Sequence, residues 1–192
     1  MQLSEYSEYL TSEKRYSPHT VKSYLSDIEQ FSVYLNIQYQ IDDISKAESS
    51  QIRSWMASLI NEKLNSRSVH RKLSTLRNYF KYLMRHGYID SSPLETIVAP
   101  KTKKRLPQFI DESKIDELLD VEFYNEGFEG VRDNLILKIF YATGIRLAEL
   151  INIKDSDIDF SMQNIKVKGK RNKERIIPIG KGLINAIEAY IK

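Results

Sequence analysis

Apolar residues recur along most of this chain with the three-to-four spacing of amphipathic helices. The first predicted helix covers Leu3 to Lys14. Tyr16-Ser17-Pro18-His19-Thr20 then marks a fresh start. Ser17 is the natural cap, and Pro18 falls at the first helical position, where a missing amide hydrogen costs nothing. Val21, Tyr24, Leu25, Ile28, Phe31 and Leu35 carry this second helix to about Asn36. Beyond the polar Asp42-Asp43 link, Ile52, Trp55, Met56 and Leu59 predict a third helix from about Glu48 to Glu62. Ser66 is read as the cap of a fourth, which runs to Arg85 and stops at His86-Gly87. Four amphipathic helices make a small bundle.

Proline, glycine and lysine then interrupt the period. The stretch from Ser91 through Pro93, Pro100, Lys101, Lys103, Lys104, Arg105 and Pro107 reads as a basic, extended connector, which sets a domain boundary near residue 105. The expected domains are residues 1–105 and 106–192. In the second, helices are predicted from Asp111 to Leu119, from about Arg132 to Tyr141, and from Arg146 to about Ile153 after a break at Gly144. Residues 164–168 and 175–179 predict two strands around the turn Gly169-Lys170-Arg171-Asn172-Lys173. A last helix begins near Leu183, with Ile187 and Tyr190 still in period where the sequence stops. That ending, and a second domain smaller than the roughly 100–150 residues that are typical, read as a truncated piece. The expected fold is mainly helical with a small β-hairpin or sheet.

Cysteine is absent and the three histidines are scattered, which argues against a disulfide framework, a thiolate metal site or a zinc cluster. Glu5, Glu8, Glu13 and Lys14 break up the opening residues, leaving no run for a signal peptide or membrane span, so a cytoplasmic protein without a membrane partner is expected. Net charge is only +3, but its distribution is uneven. Residues 1–105 hold 16 Lys or Arg against 11 Asp or Glu, whereas residues 106–192 hold 13 against 15.

Most of the asymmetry lies in the fourth helix. Arg67, Arg71, Lys72, Arg77, Lys81 and Arg85 fall between Ser66 and Arg85 with no acid among them. At about 100 degrees per residue, Arg71, Lys81 and Arg85 come within about 40 degrees of Arg67, with Arg77 at the margin. Val69, Leu73, Leu76, Phe80 and Leu83 cluster opposite. Solvated helix faces normally mix both signs of charge, because like charges one turn apart repel. A purely cationic stripe therefore points to a polyanion, and a rigid, arginine-rich helix suits the major groove of duplex DNA better than the deep groove of RNA. Arg67, Arg71, Lys72, Arg77 and Lys81 are the candidate contacts on this outward cationic helix, and Lys103 and Lys104 in the connector are candidates to follow the same backbone.

Two segments bring in chemistry. Ala142-Thr143-Gly144-Ile145-Arg146-Leu147-Ala148-Glu149-Leu150 strongly resembles the first-arginine motif of the tyrosine recombinases, or phage integrases, most closely the Xer type. Val167-Lys168-Gly169-Lys170-Arg171-Asn172-Lys173-Glu174-Arg175-Ile176-Ile177-Pro178 resembles the catalytic-lysine hairpin of the same family. Tyr16-Ser17-Pro18-His19-Thr20 and Arg71-Lys72-Leu73-Ser74-Thr75-Leu76-Arg77 are similar to its preceding core-binding domain. The resemblance implies a four-helix, SAM-like core-binding domain followed by a truncated α+β catalytic domain. It implies a reaction without cofactor or metal, in which a tyrosine attacks a DNA phosphate and a 3′-phosphotyrosine conserves the bond energy for rejoining. A duplex recombination site, and a homo- or hetero-tetramer of recombinases on paired sites, are the implied partners. Arg146 would hold phosphate oxygens through its planar fork, helped by backbone amides at a helix start. Glu149 is better read as a structural partner than as an acid catalyst. Lys170 would protonate the leaving 5′-oxygen. Lys168, Arg171 and Lys173 crowd the same hairpin as candidate DNA contacts, and only register against the family motif singles out Lys170.

The pattern also departs from the family. No His-x-x-Arg follows the hairpin, since His19, His70 and His86 all precede Arg146. Of twelve tyrosines only Tyr190 comes after Lys170, and it lies on an apolar stripe. The nucleophile is therefore expected to be missing from these residues. A non-catalytic DNA-binding or regulatory protein on the same scaffold, or a mobile-element integrase, stays open as an alternative.

Overall fold

The computed structural model describes residues 2–101, 109–120, 124, 126–169 and 173–192, and it divides into two compact units, Met1–Arg105 and Leu106–Lys192. The first unit is helical. Helix α1 (Gln2–Glu8) continues as a π-helical turn, Tyr9–Glu13, in which the Lys14 amide reaches back five residues to the Tyr9 carbonyl at 3.0 Å. The wider turn corrects the expected unbroken α-helix, and Tyr6, Tyr9 and Leu10 are all buried. Helix α2 (Pro18–Tyr39) starts as expected, the Ser17 hydroxyl accepting from the Thr20 amide. Helix α3 (Ser49–Asn61) follows, and then α4 (Ser66–Arg85). The α4 cap is Asn65, whose side chain accepts from the Ser68 amide, and not Ser66. Asparagine and serine are comparable caps, so the pattern alone did not separate them.

The core of this unit gathers Ile28, Phe31 and Leu35 of α2, Ile52, Trp55 and Leu59 of α3, and Val69, Leu73, Leu76, Phe80 and Leu83 of α4. Part of the segment read as a connector belongs to it. Leu94 and Ile97 are buried in the same core. Ser49 Oγ donates to the Pro93 carbonyl at 2.6 Å, Arg77 Nη2 donates to the Ile97 carbonyl at 2.9 Å, and the His70 ring nitrogen meets the Pro100 carbonyl. Two apolar side chains and three side-chain contacts hold residues 93–100 on the bundle.

The second unit contains α5 (Glu112–Leu119), α6 (Phe128–Thr143), the short α7 (Leu147–Leu150) and α8 (Lys181–Ile191). Its sheet is antiparallel in the order β1 (Ile158–Asp159), β2 (Asn164–Lys168), β3 (Glu174–Pro178). Val167 pairs with Arg175 and Lys168 with Glu174. Alternation along β2 buries Ile165 and Val167 against Leu135, Ile139, Ile184 and Ile187. Gly144 ends α6 in the left-handed region at φ +58°, which a side chain would strain. Much apolar surface stays uncovered in this unit. Val131 and Tyr141 of α6, Leu147, Ile151, Phe160 and Met162 are all exposed. Among the described residues, no helix is long and apolar enough to cross a membrane.

Candidate functional site

In the first unit, α4 turns its apolar stripe inward and leaves Arg67, Arg71, Arg77, Lys81 and Arg85 exposed. Lys72 is the exception among the expected contacts. It is buried, and its ammonium donates to Asp27 Oδ1 at 3.0 Å and to the Gln30 side chain. The position lies beside Leu73 on the inward side, and the ion pair with Asp27 is what lets a lysine remain there. Asp27 is itself buried on α2. It also accepts from both terminal nitrogens of Arg71, with the Nη2 contact at 2.9 Å, and from Thr75 Oγ1 at 3.0 Å. Arg71 and Arg77 thus have partners within the fold. The side chains of Arg67, Lys81 and Arg85 have no hydrogen bond or ion pair among the described residues. Asp27 was missed as a site residue, although its place between Tyr24 and Ile28 on the apolar face of α2 was a usable signal.

In the second unit the chemistry centres on Glu149. Its side chain is 3% exposed, while that of Arg146 is 69% exposed. Arg146 Nη1 donates to Glu149 Oε1 at 2.8 Å, and the Arg146 amide donates to Oε2 at 2.9 Å. Arg175 adds a bidentate contact from β3, Nη1 to Oε1 at 2.7 Å and Nη2 to Oε2 at 2.8 Å. Arg175 comes first among the causes that hold the Glu149 carboxyl well below the ordinary carboxylate range, at about 2; the Arg146 amide follows. Two guanidiniums around one carboxylate leave an excess positive charge, and Arg146 spends one side-chain nitrogen on Glu149, which leaves the rest of its fork free to face an anion.

The helix start is not as expected. Arg146 is the cap residue of a four-residue helix and not the first residue of a longer one. Its amide is turned to Glu149, so the side chain and not the backbone faces outward. The hairpin base lies against the same carboxylate. A Cβ on Gly169 would sit 2.9 Å from Glu149 Oε1, and the Gly169 amide donates to the Lys173 carbonyl at 2.7 Å. Lys168 and Lys173 are exposed beside that base. Lys170 and Arg171, like Lys103 and Lys104, lie outside the described residues. Tyr190 is partly buried and stacks on Phe128 with ring centroids 5.5 Å apart, in keeping with its reading as a packing residue.

Comparison with known proteins bears on both units. Residues 3–87 match the phage integrase N-terminal SAM-like domain, and residues 108–192 match the phage integrase family. The tyrosine recombinase XerC of Syntrophus aciditrophicus (strain SB) is 36% identical over 195 residues, covering 98% of this chain and 63% of the relative. XerC of Bacillus subtilis (strain 168) is 34% identical over 184 residues, covering 96% of this chain and 60% of the relative. Among solved structures, a lambda integrase dimer bound to a COC′ core site is similar at a TM-score of 0.74 and 19% identity, over 98% of this chain and 52% of that one. The Tn1549 transposon integrase in complex with transposon right end DNA is similar at 0.73 and 14% identity, over 100% of this chain and 65% of that one. These last two likenesses concern the fold alone. The chain spans about three fifths of the length of the XerC proteins it matches. With the first-arginine and hairpin motifs in order, both family matches in place and identities above one third to XerC proteins, the chain belongs to the tyrosine recombinase, or phage integrase, family.

Proposed function

We propose that this chain binds duplex DNA and supplies part of a site-specific recombinase that cuts and rejoins strands through a 3′-phosphotyrosine. The observation that carries the reading is the exposed Arg146 guanidinium, tethered to a buried carboxylate and adjoined by the base of the lysine hairpin. On this reading residues 1–105 grip the duplex, through Arg67, Arg71, Arg77, Lys81 and the connector lysines Lys103 and Lys104. Residues 106–192 bring Arg146 to the scissile phosphate and Lys170 to the leaving 5′-oxygen, with Lys168, Arg171 and Lys173 on the flanking backbone. Arginine stabilises the charge that builds on the phosphorus oxygens, and lysine supplies a proton to the oxygen that departs. The same reading puts this action in the cytoplasm, on joined chromosomes, by a homo- or hetero-tetramer of recombinases assembled on paired sites, with insertion of a mobile element as the alternative.

Tyr190 is not the nucleophile of this reading. An attacking phenol must stand in line with the scissile bond, whereas the Tyr190 ring is held against Phe128. The test separates binding from chemistry. The chain is incubated with a nicked duplex that traps cleaved intermediates, denatured in detergent and examined for protein still joined to labelled DNA. Binding without an adduct is expected. The same assay on a protein extended to the full length of its XerC relatives should give an adduct that disappears in Arg146→Ala. An adduct on the 192-residue chain that is lost in Tyr190→Phe would overturn the account of the nucleophile. An extended protein that folds and binds but never reacts would leave DNA binding alone as the function.

A further inference from the structure

We propose that Asp27 is a positioning residue for DNA binding, holding the Arg71 guanidinium in one orientation on the outer face of α4; the inference rests on the duplex-binding reading above. Asp27 is 1% exposed and accepts from Arg71, Lys72 and Thr75, so the carboxylate is fixed from several directions. Neutralising it does not require Arg71. The Lys72 ammonium, with a side chain only 6% exposed, lies 3.0 Å from Asp27 Oδ1 and pairs with it inside the fold. Arg71 is differently placed, because its side chain is 50% exposed while two of its nitrogens reach inward to the same carboxylate.

An arginine on a helix surface ordinarily samples many rotamers, and ordering it upon binding is costly. The two-pronged grip of Asp27 fixes the plane of the guanidinium before any partner arrives. Two of its five N–H donors are spent on Asp27, and the others remain for an anion. Arg67 lies one turn earlier on the same face of α4, so a phosphate met by the stripe finds one preset fork among otherwise freer cations. Lys72 thereby acquires a purpose consistent with its burial, since it carries the charge balance of Asp27 while Arg71 stays turned partly outward.

The opposite view treats Asp27 as a counter-charge that merely weakens the field of Arg71. The two views differ in sign. Asp27→Asn makes the chain more positive, so a pure charge effect strengthens binding to DNA, whereas loss of positioning weakens it. The experiment measures affinity for a random-sequence duplex over a range of salt concentrations, using the whole chain and its Asp27→Asn, Arg71→Ala, Arg71→Lys and Asp27→Asn/Arg71→Ala variants. Asp27→Asn should bind about tenfold more weakly, near what one charge-assisted contact is worth. Its slope of log affinity against log salt should be shallower by up to about one. Arg71→Lys keeps the charge but not the fork, and should fall close to Arg71→Ala. Adding Asp27→Asn to Arg71→Ala should cost nothing more, a result that general loosening of the bundle would not give.

Equal or tighter binding by a folded Asp27→Asn protein overturns the proposal, and so does wild-type binding by Arg71→Lys. The second comparison decides the matter if Asp27→Asn does not fold, because Arg71 is exposed and its lysine variant keeps the charge pair. If the unaltered chain fails to bind duplex DNA at low salt, the duplex-binding reading fails first and takes this inference with it.

Discussion

Arg175 on β3 and Glu149 in α7, 26 residues apart in sequence, are joined by two parallel hydrogen bonds of 2.7 and 2.8 Å. The pair ties the hairpin to the segment that carries Arg146, and it does so where Glu149 is almost wholly shielded from water. Arg146 is exposed, but the group that orients it is not, so the chemistry of its carboxylate partner is open to measurement through stability.

Glu149→Gln is expected to lower the unfolding temperature of residues 106–192 at neutral pH, and the gap from wild type should close on acidification. The folded carboxyl is held at about 2, with Arg175 the leading cause. A depressed folded value means that the unfolded chain takes up the proton first as pH falls. The stabilisation is therefore complete above the unfolded value of about 4.3 and is lost as pH drops from there through about 2. Thermal melts of both proteins across that window check it, and a gap that stays constant with pH would show that the carboxylate is not held as described.

Gly169→Ala is expected to destabilise the second unit by about 1–3 kcal/mol, the usual range for overpacking. The added methyl would lie 2.9 Å from Glu149 Oε1, and that oxygen is held by two guanidiniums and cannot easily give way. Gly182→Ala makes the control, because a Cβ there meets nothing within 4 Å beyond its own stretch of helix backbone and the residue sits in the first turn of α8. That substitution should be neutral or slightly stabilising. Urea denaturation of the two variants side by side gives the comparison, and equal midpoints would show that the hairpin base does not press on Glu149.

Tyr6→Phe is expected to stabilise the first unit by about 1 kcal/mol, because a buried hydroxyl without a hydrogen-bond partner costs about that much or more. Tyr6 is fully buried, and its hydroxyl has no partner among the described residues. Its ring meets those of Tyr79 and Tyr82 at 5.0 Å each, contacts that phenylalanine keeps. The guanidinium midpoint should rise with the slope of the transition unchanged. A fall would mean that the hydroxyl is satisfied in solution.

The helical half was legible because its apolar spacing is strong, and the misreadings there are instructive. Lys72 was placed with the outward cations although, at 100 degrees per residue, it lies about 140 degrees from Arg67 and next to the apolar side. Asp27 stood in the same kind of place on α2, and two opposite charges on facing apolar stripes are the mark of a buried pair. Leu94 and Ile97 were hidden among prolines, which suggest an extended connector whatever the side chains between them do. In the second unit, the Gly144 break and the hairpin were visible from local chemistry. The reach of Arg175 to Glu149 was not, because it depends on how β3 is set against α7, and no local pattern encodes that.

The uncovered side chains of the second unit also bear on how the chain behaves in a tube. Tyr141, Leu147, Ile151 and Met162 are each more than half exposed. Where exposed apolar side chains adjoin, they commonly mediate contact between molecules. As concentration rises, copies of the chain should meet through such side chains, and kosmotropic salts such as sulfate should promote the encounter. A binding curve taken in that regime would report several linked copies on one duplex, with an inflated affinity, so dilution series and light scattering belong beside every titration.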